Sequence, residues 1–173
     1  MLPDTIRTVK DLILWEYAKL MAGLALSDHK KDGFISVNFN LLRSGEKEWF
    51  DILRKNVVMD SHKCAYCESA QTLSKDRIIP KRECHFAEIH NVVKTCKKCK
   101  ASKGTKDLIE WWGLEGRFEP PKIVMEKYLK MLYMCHRCRG TLDTEDIYNN
   151  GDFDLPHISA VFQEPCYPEK VKR

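Results

Sequence analysis

The chain has 173 residues, of which 43% are hydrophobic and 31% charged, and a formal net charge of +4, the composition of a folded globular chain long enough for one domain with a real core. No stretch reaches the ~18 uncharged apolar residues of a membrane helix. Glu16 and Lys19 interrupt the apolar N-terminal run, and no small-residue cleavage site follows it, so neither a membrane span nor a signal peptide is expected.

In chain order, residues 5–26 place Ile6, Val9, Ile13, Leu20 and Leu24 near a 3.6-residue spacing and predict an amphipathic helix, ended by the polar run 27–33. A second helix is predicted over 39–59, with a break at Ser44-Gly45 and with Trp49, Ile52 and Leu53 facing inward. A cysteine-bearing centre occupies 62–104, and residues 106–116 read as a helix tail running into a turn. Residues 120–140 begin on two prolines, carry an apolar stripe through Val124, Tyr128, Leu132 and Cys135, and stop at Gly140, a well-signalled helix. Residues 141–147 offer caps for one more short helix, and the tail from Pro165 reads as loosely held.

Charge is unevenly spread. Residues 75–106 hold ten Lys/Arg and three Asp/Glu, a local balance of +7, which leaves −3 for the rest of the chain. The basic residues gather where cysteines do, the pattern of a region that meets a polyanion.

A cytoplasmic, reducing setting makes the eight cysteines metal ligands rather than disulfides. Cys64 and Cys67 form one Cys-x-x-Cys pair, and Cys96 and Cys99 another. Two such pairs close a zinc tetrahedron with no open coordination position, so the metal is expected to be structural. A third pair, Cys135 and Cys138, has no partner nearby in sequence; Cys84, His85, His90 or Cys166 would complete a second zinc site if the fold gathers them, and buried thiols are the alternative.

Between the zinc pairs the order is a short strand carrying Asp76-Arg77-Ile78-Ile79-Pro80, a basic loop, a second strand at His90-Asn91-Val92-Val93, and a helix opening at Thr95-Cys96. This order resembles the HNH endonuclease family, whose ββα-metal motif carries Asp-His in the first strand, Asn in the second, and Cys-x-x-Cys-Asn-x-x-Lys-Gly at the helix. The corresponding residues are Asp76, Arg77, Asn91, Cys96, Cys99, Lys100, Lys103 and Gly104. The likeness covers 64–104, and the flanks 15–26 and 126–143 also resemble sequences around this module in one branch of the family.

The resemblance implies an α+β fold, mainly α: a small ββα zinc-bound centre over 61–110, between helical regions over 1–60 and 111–173, all packed as one compact domain. It implies metal-dependent cleavage of double-stranded DNA, with Mg2+ or Mn2+ as Lewis acid and a histidine as base. Asp76 would hold that metal and Asn91 would brace the loop carrying the base. Arg77, Lys81, Arg82, Lys97, Lys98, Lys100 and Lys103 would face the phosphate backbone, mostly without reading bases.

Two positions depart from the pattern. Arg77 stands where the general-base histidine is expected, and a guanidinium does not accept a proton near neutrality. Lys100 stands where an Asn or His usually makes a second metal contact, and an ammonium is a poor ligand. Three readings stay open. In one, His90 or His85 is the base, Asp76 holds the metal with help from Glu83 or Glu88, and Arg77 clamps the phosphate. In another, catalysis is lost and a zinc-stapled nucleic-acid binder remains. In the third, the module is structural and Asp76–Arg77 is a surface ion pair. DNA against RNA, and monomer against homodimer, are likewise open.

Weaker signals point to packing. Trp111 and Trp112 read as core and rim rather than as base-stacking platforms. Asp146, Asn150, Gly151 and Asp152 fall in the places of a calcium loop, but Tyr148 and His157 stand where oxygen ligands are wanted. His29, His62 and His136 have no constellation around them and read as surface or packing residues.

Overall fold

The computed structural model describes residues 4–25, 31–47, 62–80, 91–114, 120–145 and 153–163. These hold six α-helices, a short 3-10 segment and a two-stranded antiparallel sheet, an α+β arrangement that is mainly α.

Helix α1 (Val9–Ala25) starts on a reciprocal cap. The Asp11 N–H donates to Thr8 Oγ1 (3.1 Å) and the Thr8 N–H donates to Asp11 Oδ2 (3.2 Å), which satisfies donors that a helix start leaves unpaired. Two more are taken from further along the chain: Lys10 N–H donates to the Leu142 carbonyl (2.8 Å) and Val9 N–H to that of Thr144 (3.2 Å). Residues 141–145 therefore form turns that cap α1, where the sequence predicts the start of another helix. Val9, Leu12, Ile13, Leu14, Tyr17, Ala18, Met21 and Ala22 are buried because α1 is covered from two sides.

One cover is α2 (Lys31–Ser44), which buries Ile35, Phe39 and Leu42. Its Arg43 Nε pairs with Asp11 (3.0 Å), and Phe39 meets Trp15 edge-on at 5.6 Å. This helix corrects the expected start at residue 39 and takes in residues 31–33 of the polar run. Phe34, Ile35, Phe39 and Leu42 extend the apolar stripe upstream, and their packing outweighs the ~1 kcal/mol that exposed Gly33 costs inside a helix. The expected break is present: α2 ends at Ser44, and Gly45 adopts φ +80°, which glycine takes without strain. Trp49, Ile52 and Leu53 lie outside the described residues.

Strand β1 (Leu73–Arg77) pairs with β2 (Val92–Cys96), with Leu73 opposite Cys96 and Arg77 opposite Val92. The strand predicted through Ile78-Ile79-Pro80 stops at Arg77, although Ile78 N–H still bonds the Asn91 carbonyl (2.9 Å). β2 leads directly into α3 (Lys97–Lys103), and α4 (Leu108–Leu114) follows. The second cover of α1 is α5 (Lys122–Arg139), as predicted over 120–140, with Gly140 left-handed (φ 70°) at its end. The sequence reading missed α6 (Leu155–Ser159), which opens on Asp154 as cap with Pro156 in its first turn and runs into the 3-10 segment Ala160–Gln163. Among the described residues no helix is long and apolar enough to cross a membrane.

Candidate metal centre and adjoining cleft

The first cysteine pair sits in a tight turn ahead of β1. Glu68 N–H donates to the Cys64 carbonyl (2.8 Å), Cys64 N–H to that of Ser69 (2.9 Å), and Ala65 N–H to Lys94 of β2 (2.8 Å). Glu68 takes φ 59° to complete the turn. The second pair spans the start of α3: Cys96 caps it, and the Cys99 N–H points at Cys96 Sγ (3.5 Å). The four sulfurs of Cys64, Cys67, Cys96 and Cys99 all lie within 4.8 Å of one another, with Cys67 and Cys96 3.7 Å apart. A zinc tetrahedron with Zn–S about 2.3 Å has edges of about 3.8 Å, so this donor set fits one such ion.

Two of these thiols are biased toward the charged form. Burial opposes the charge on Cys64, but hydrogen bonds from Thr95 and from the backbone of Cys96, Cys67 and Tyr66 outweigh it and bring its thiol down to about 6. Cys96 is also lowered, chiefly by the Cys99 backbone N–H, whereas burial pushes Cys99 up. A thiol cluster that shares protons in this way gives them up on taking a cation.

Beside the sulfur cluster lies a cleft of about 270 Å³ whose lining includes Lys75, Asp76, Arg77, Lys100, Lys103 and Thr105. Asp76, nearly buried, accepts from Tyr66 Oη (3.1 Å) and lies 3.7 Å from the Lys103 ammonium. Tyr66 comes from between the first two cysteines, and its ring packs edge-on against Trp111 (5.0 Å). Burial, then the Asp76 charge, pushes the Tyr66 phenol up, so it stays a donor. The sequence places Lys103 among the phosphate-facing cations, but it is 1% exposed and donates to the Arg77 carbonyl (2.6 Å). It fastens α3 under β1 instead. Burial lowers its pKa against the pull of Asp76 and Asp107. Lys100 crosses to the Lys75 carbonyl (2.7 Å) and stays exposed, as do Arg77, Lys97 and Lys98.

Asn91 braces the turn after β1 with two bonds to one residue, accepting from Ile79 N–H (2.8 Å) and donating to the Ile79 carbonyl (2.9 Å). Among the described residues the cleft offers one carboxylate, which lies beside Lys103 and shares the lining with Lys75, Arg77 and Lys100, so these side chains alone do not fit a divalent-metal site. Lys81, Arg82, Glu83, Cys84, His85, Glu88, His90 and Cys166 lie outside the described residues.

Cys135 is buried in α5 and Cys138 half-buried; among the described residues no third metal-ligating group joins them. His136 is a packing residue, with Nε2 against the Ile158 carbonyl (3.0 Å) and Nδ1 against Thr141 Oγ1 (2.8 Å). Trp111 and Trp112 are buried, and Trp111 Nε1 donates to Ser102 (3.0 Å). His157 pairs with Asp154 (2.6 Å), while Asp146, Tyr148, Asn150, Gly151, Asp152 and His29 are outside the described residues. The functional neighbour the sequence reading missed is Tyr66; its place inside Cys-Ala-Tyr-Cys was the available signal. No protein-family model, curated protein or solved structure matches the chain.

Proposed function

We propose that the chain is a DNA-handling protein of the HNH endonuclease kind, whose zinc-stapled ββα centre takes the phosphodiester backbone of double-stranded DNA into the cleft at Asp76 and Arg77. The observation that carries this reading is the cleft itself: the exposed residues Arg77 and Lys100 line it together with a buttressed carboxylate, beside a four-sulfur cluster. Arg77 has the planar fork that matches two phosphate oxygens, and Lys100 adds a second cation.

Holding the backbone is the activity these side chains support best, because cations occupy the positions of base and second ligand. Cutting is the second reading, favoured by Asp76 and Asn91. The carboxylate is oriented by Tyr66, and the Asn91 brace secures the turn at Ile79, as the family resemblance requires. Under that reading His85 or His90 takes the proton from water and Arg77 steadies the phosphate.

A plasmid-nicking assay with Mg2+ or Mn2+, alongside duplex binding, tests both. Nicking that Asp76→Asn abolishes, with duplex binding kept, establishes cutting. Duplex binding without nicking at any divalent metal leaves the holding role. Loss of neither binding nor nicking on Arg77→Gln and Lys100→Gln together sinks the cleft as the DNA site.

A further inference from the structure

The four cysteines of the cluster are not equally sheltered. Cys64, Cys96 and Cys99 are buried, at 1%, 2% and 5% exposure, whereas Cys67 is exposed. It lies in the turn ahead of β1, between buried Tyr66 and Glu68, whose φ of 59° completes that turn. Cys67 Sγ has the Ser69 hydroxyl at 3.4 Å and Cys96 Sγ at 3.7 Å. Cys96 belongs to the other Cys-x-x-Cys pair and caps α3. The exposed sulfur thus meets a sulfur from across the cluster.

This is the arrangement of an oxidisable pair. A thiol that coordinates a metal is deprotonated outright, and thiolate character together with exposure decides which cysteine an oxidant reaches first. Among the four, both conditions meet at Cys67 alone. The sulfenic acid formed there needs a second thiolate within reach to resolve it, and Cys96 Sγ is that neighbour. The Cys64 sulfur, by contrast, rests against Thr95 Oγ1 (3.5 Å).

We propose that Cys67 is a modification site for hydroperoxides, and that its oxidation ends in a disulfide with Cys96 that takes over from the metal as staple of the centre. With hydrogen peroxide, the Cys67 thiolate attacks one peroxide oxygen. The O–O bond breaks, hydroxide leaves and Cys67 becomes a sulfenic acid. The Cys96 thiolate then attacks that sulfur, the S–O bond breaks and a second hydroxide leaves. Two thiolates lose two electrons in all, and the peroxide gains them. Cys64 and Cys99 alone do not close a zinc tetrahedron, so the ion is released. The new bond joins the turn ahead of β1 to the start of α3, the same two stretches that the four-sulfur cluster joins. Tyr66, next to Cys67, therefore keeps its place against Trp111 and its bond to Asp76. The proposal needs the cluster and stands apart from the DNA reading of the cleft.

The test treats the full zinc-loaded chain with hydrogen peroxide and follows zinc release, tryptophan emission and peptide masses without reduction. Zinc should leave as a Cys67–Cys96 disulfide appears, and reductant with added zinc should restore the starting state. Tryptophan emission should hold its zinc-loaded position, whereas a chelator in reducing buffer shifts it to the red. In a second arm, a limiting amount of a thiol-alkylating agent on the untreated zinc-loaded chain should label Cys67 ahead of Cys64, Cys96 and Cys99. No disulfide, a disulfide between any other two cysteines, or another of the four labelled first overturns the site. A red shift on oxidation as large as that on chelation overturns the disulfide as a staple. A purified chain without zinc removes the metal assignment and leaves the disulfide map to decide the pair, so the two failures are told apart.

Discussion

Tyr66 connects the metal centre to the cleft through a single hydroxyl. Tyr66→Phe keeps the ring against Trp111 but removes the donor to Asp76 Oδ2, leaving Lys103 as its remaining described polar neighbour. A hydrogen bond to a charged group contributes about 1.5–3 kcal/mol, so urea unfolding of the zinc-loaded protein should show a loss of that order with zinc content intact. Asn91→Ala should cost more, because two buried bonds to the Ile79 backbone disappear at once and both Ile79 groups are left unpaired; about 2–4 kcal/mol is expected. Asn91→Asp separates the two bonds, since a carboxylate can accept from the Ile79 N–H but cannot donate to its carbonyl. If Asn91→Ala unfolds at the wild-type urea midpoint, the brace has no energetic role.

At the scale of elements, the helix ends carry the local logic. Thr8→Ala removes one half of the reciprocal cap on α1, and about 1 kcal/mol should disappear from the unfolding free energy. Gly140 closes α5 with φ 70°, and its N–H bonds carbonyls of the last turn; Gly140→Ala should cost about 1 kcal/mol by forcing a side chain into the left-handed region. The sheet is too small to stand on its own. It is held at both ends: by the four-cysteine cluster on the Cys96 side, and by Lys103, reaching from α3 to the Arg77 carbonyl, on the other.

For the whole molecule the zinc prediction is the most consequential. Elemental analysis of the purified chain should find zinc bound at the four-sulfur cluster, and Cys96→Ser should abolish that binding. Removing the metal with a strong chelator should expose Trp111 and Trp112, read as a red shift in fluorescence, because Tyr66 packs on both from within the first cysteine turn. Acid should act the same way. Without metal, the Cys64 thiol of the folded chain is brought down to about 6 against roughly 8.5 for an ordinary thiol. The native state thus holds fewer protons; this contribution is complete above the ordinary value and is lost as pH falls through about 6. A metal-free chain whose stability does not change as pH falls through that value would contradict the lowered Cys64 thiol.

Much of this was legible in residue order alone. Two Cys-x-x-Cys pairs announce a shared cluster because the spacing suits a turn or a helix start, and both are local structures. The helix over 120–140 was readable from its prolines, stripe and glycine, which act within a few residues. What needed three dimensions was every contact between distant segments. Lys103 looks like a surface cation in the sequence, but α3 folds under β1 and buries it. Residues 141–145 look like a helix start, yet their carbonyls are drawn to the open end of α1, more than a hundred positions away. That Lys75 stands across the sheet from Lys94 is a matter of strand register, which residue spacing does not encode until the four-cysteine cluster and Asn91 pin both ends of the sheet.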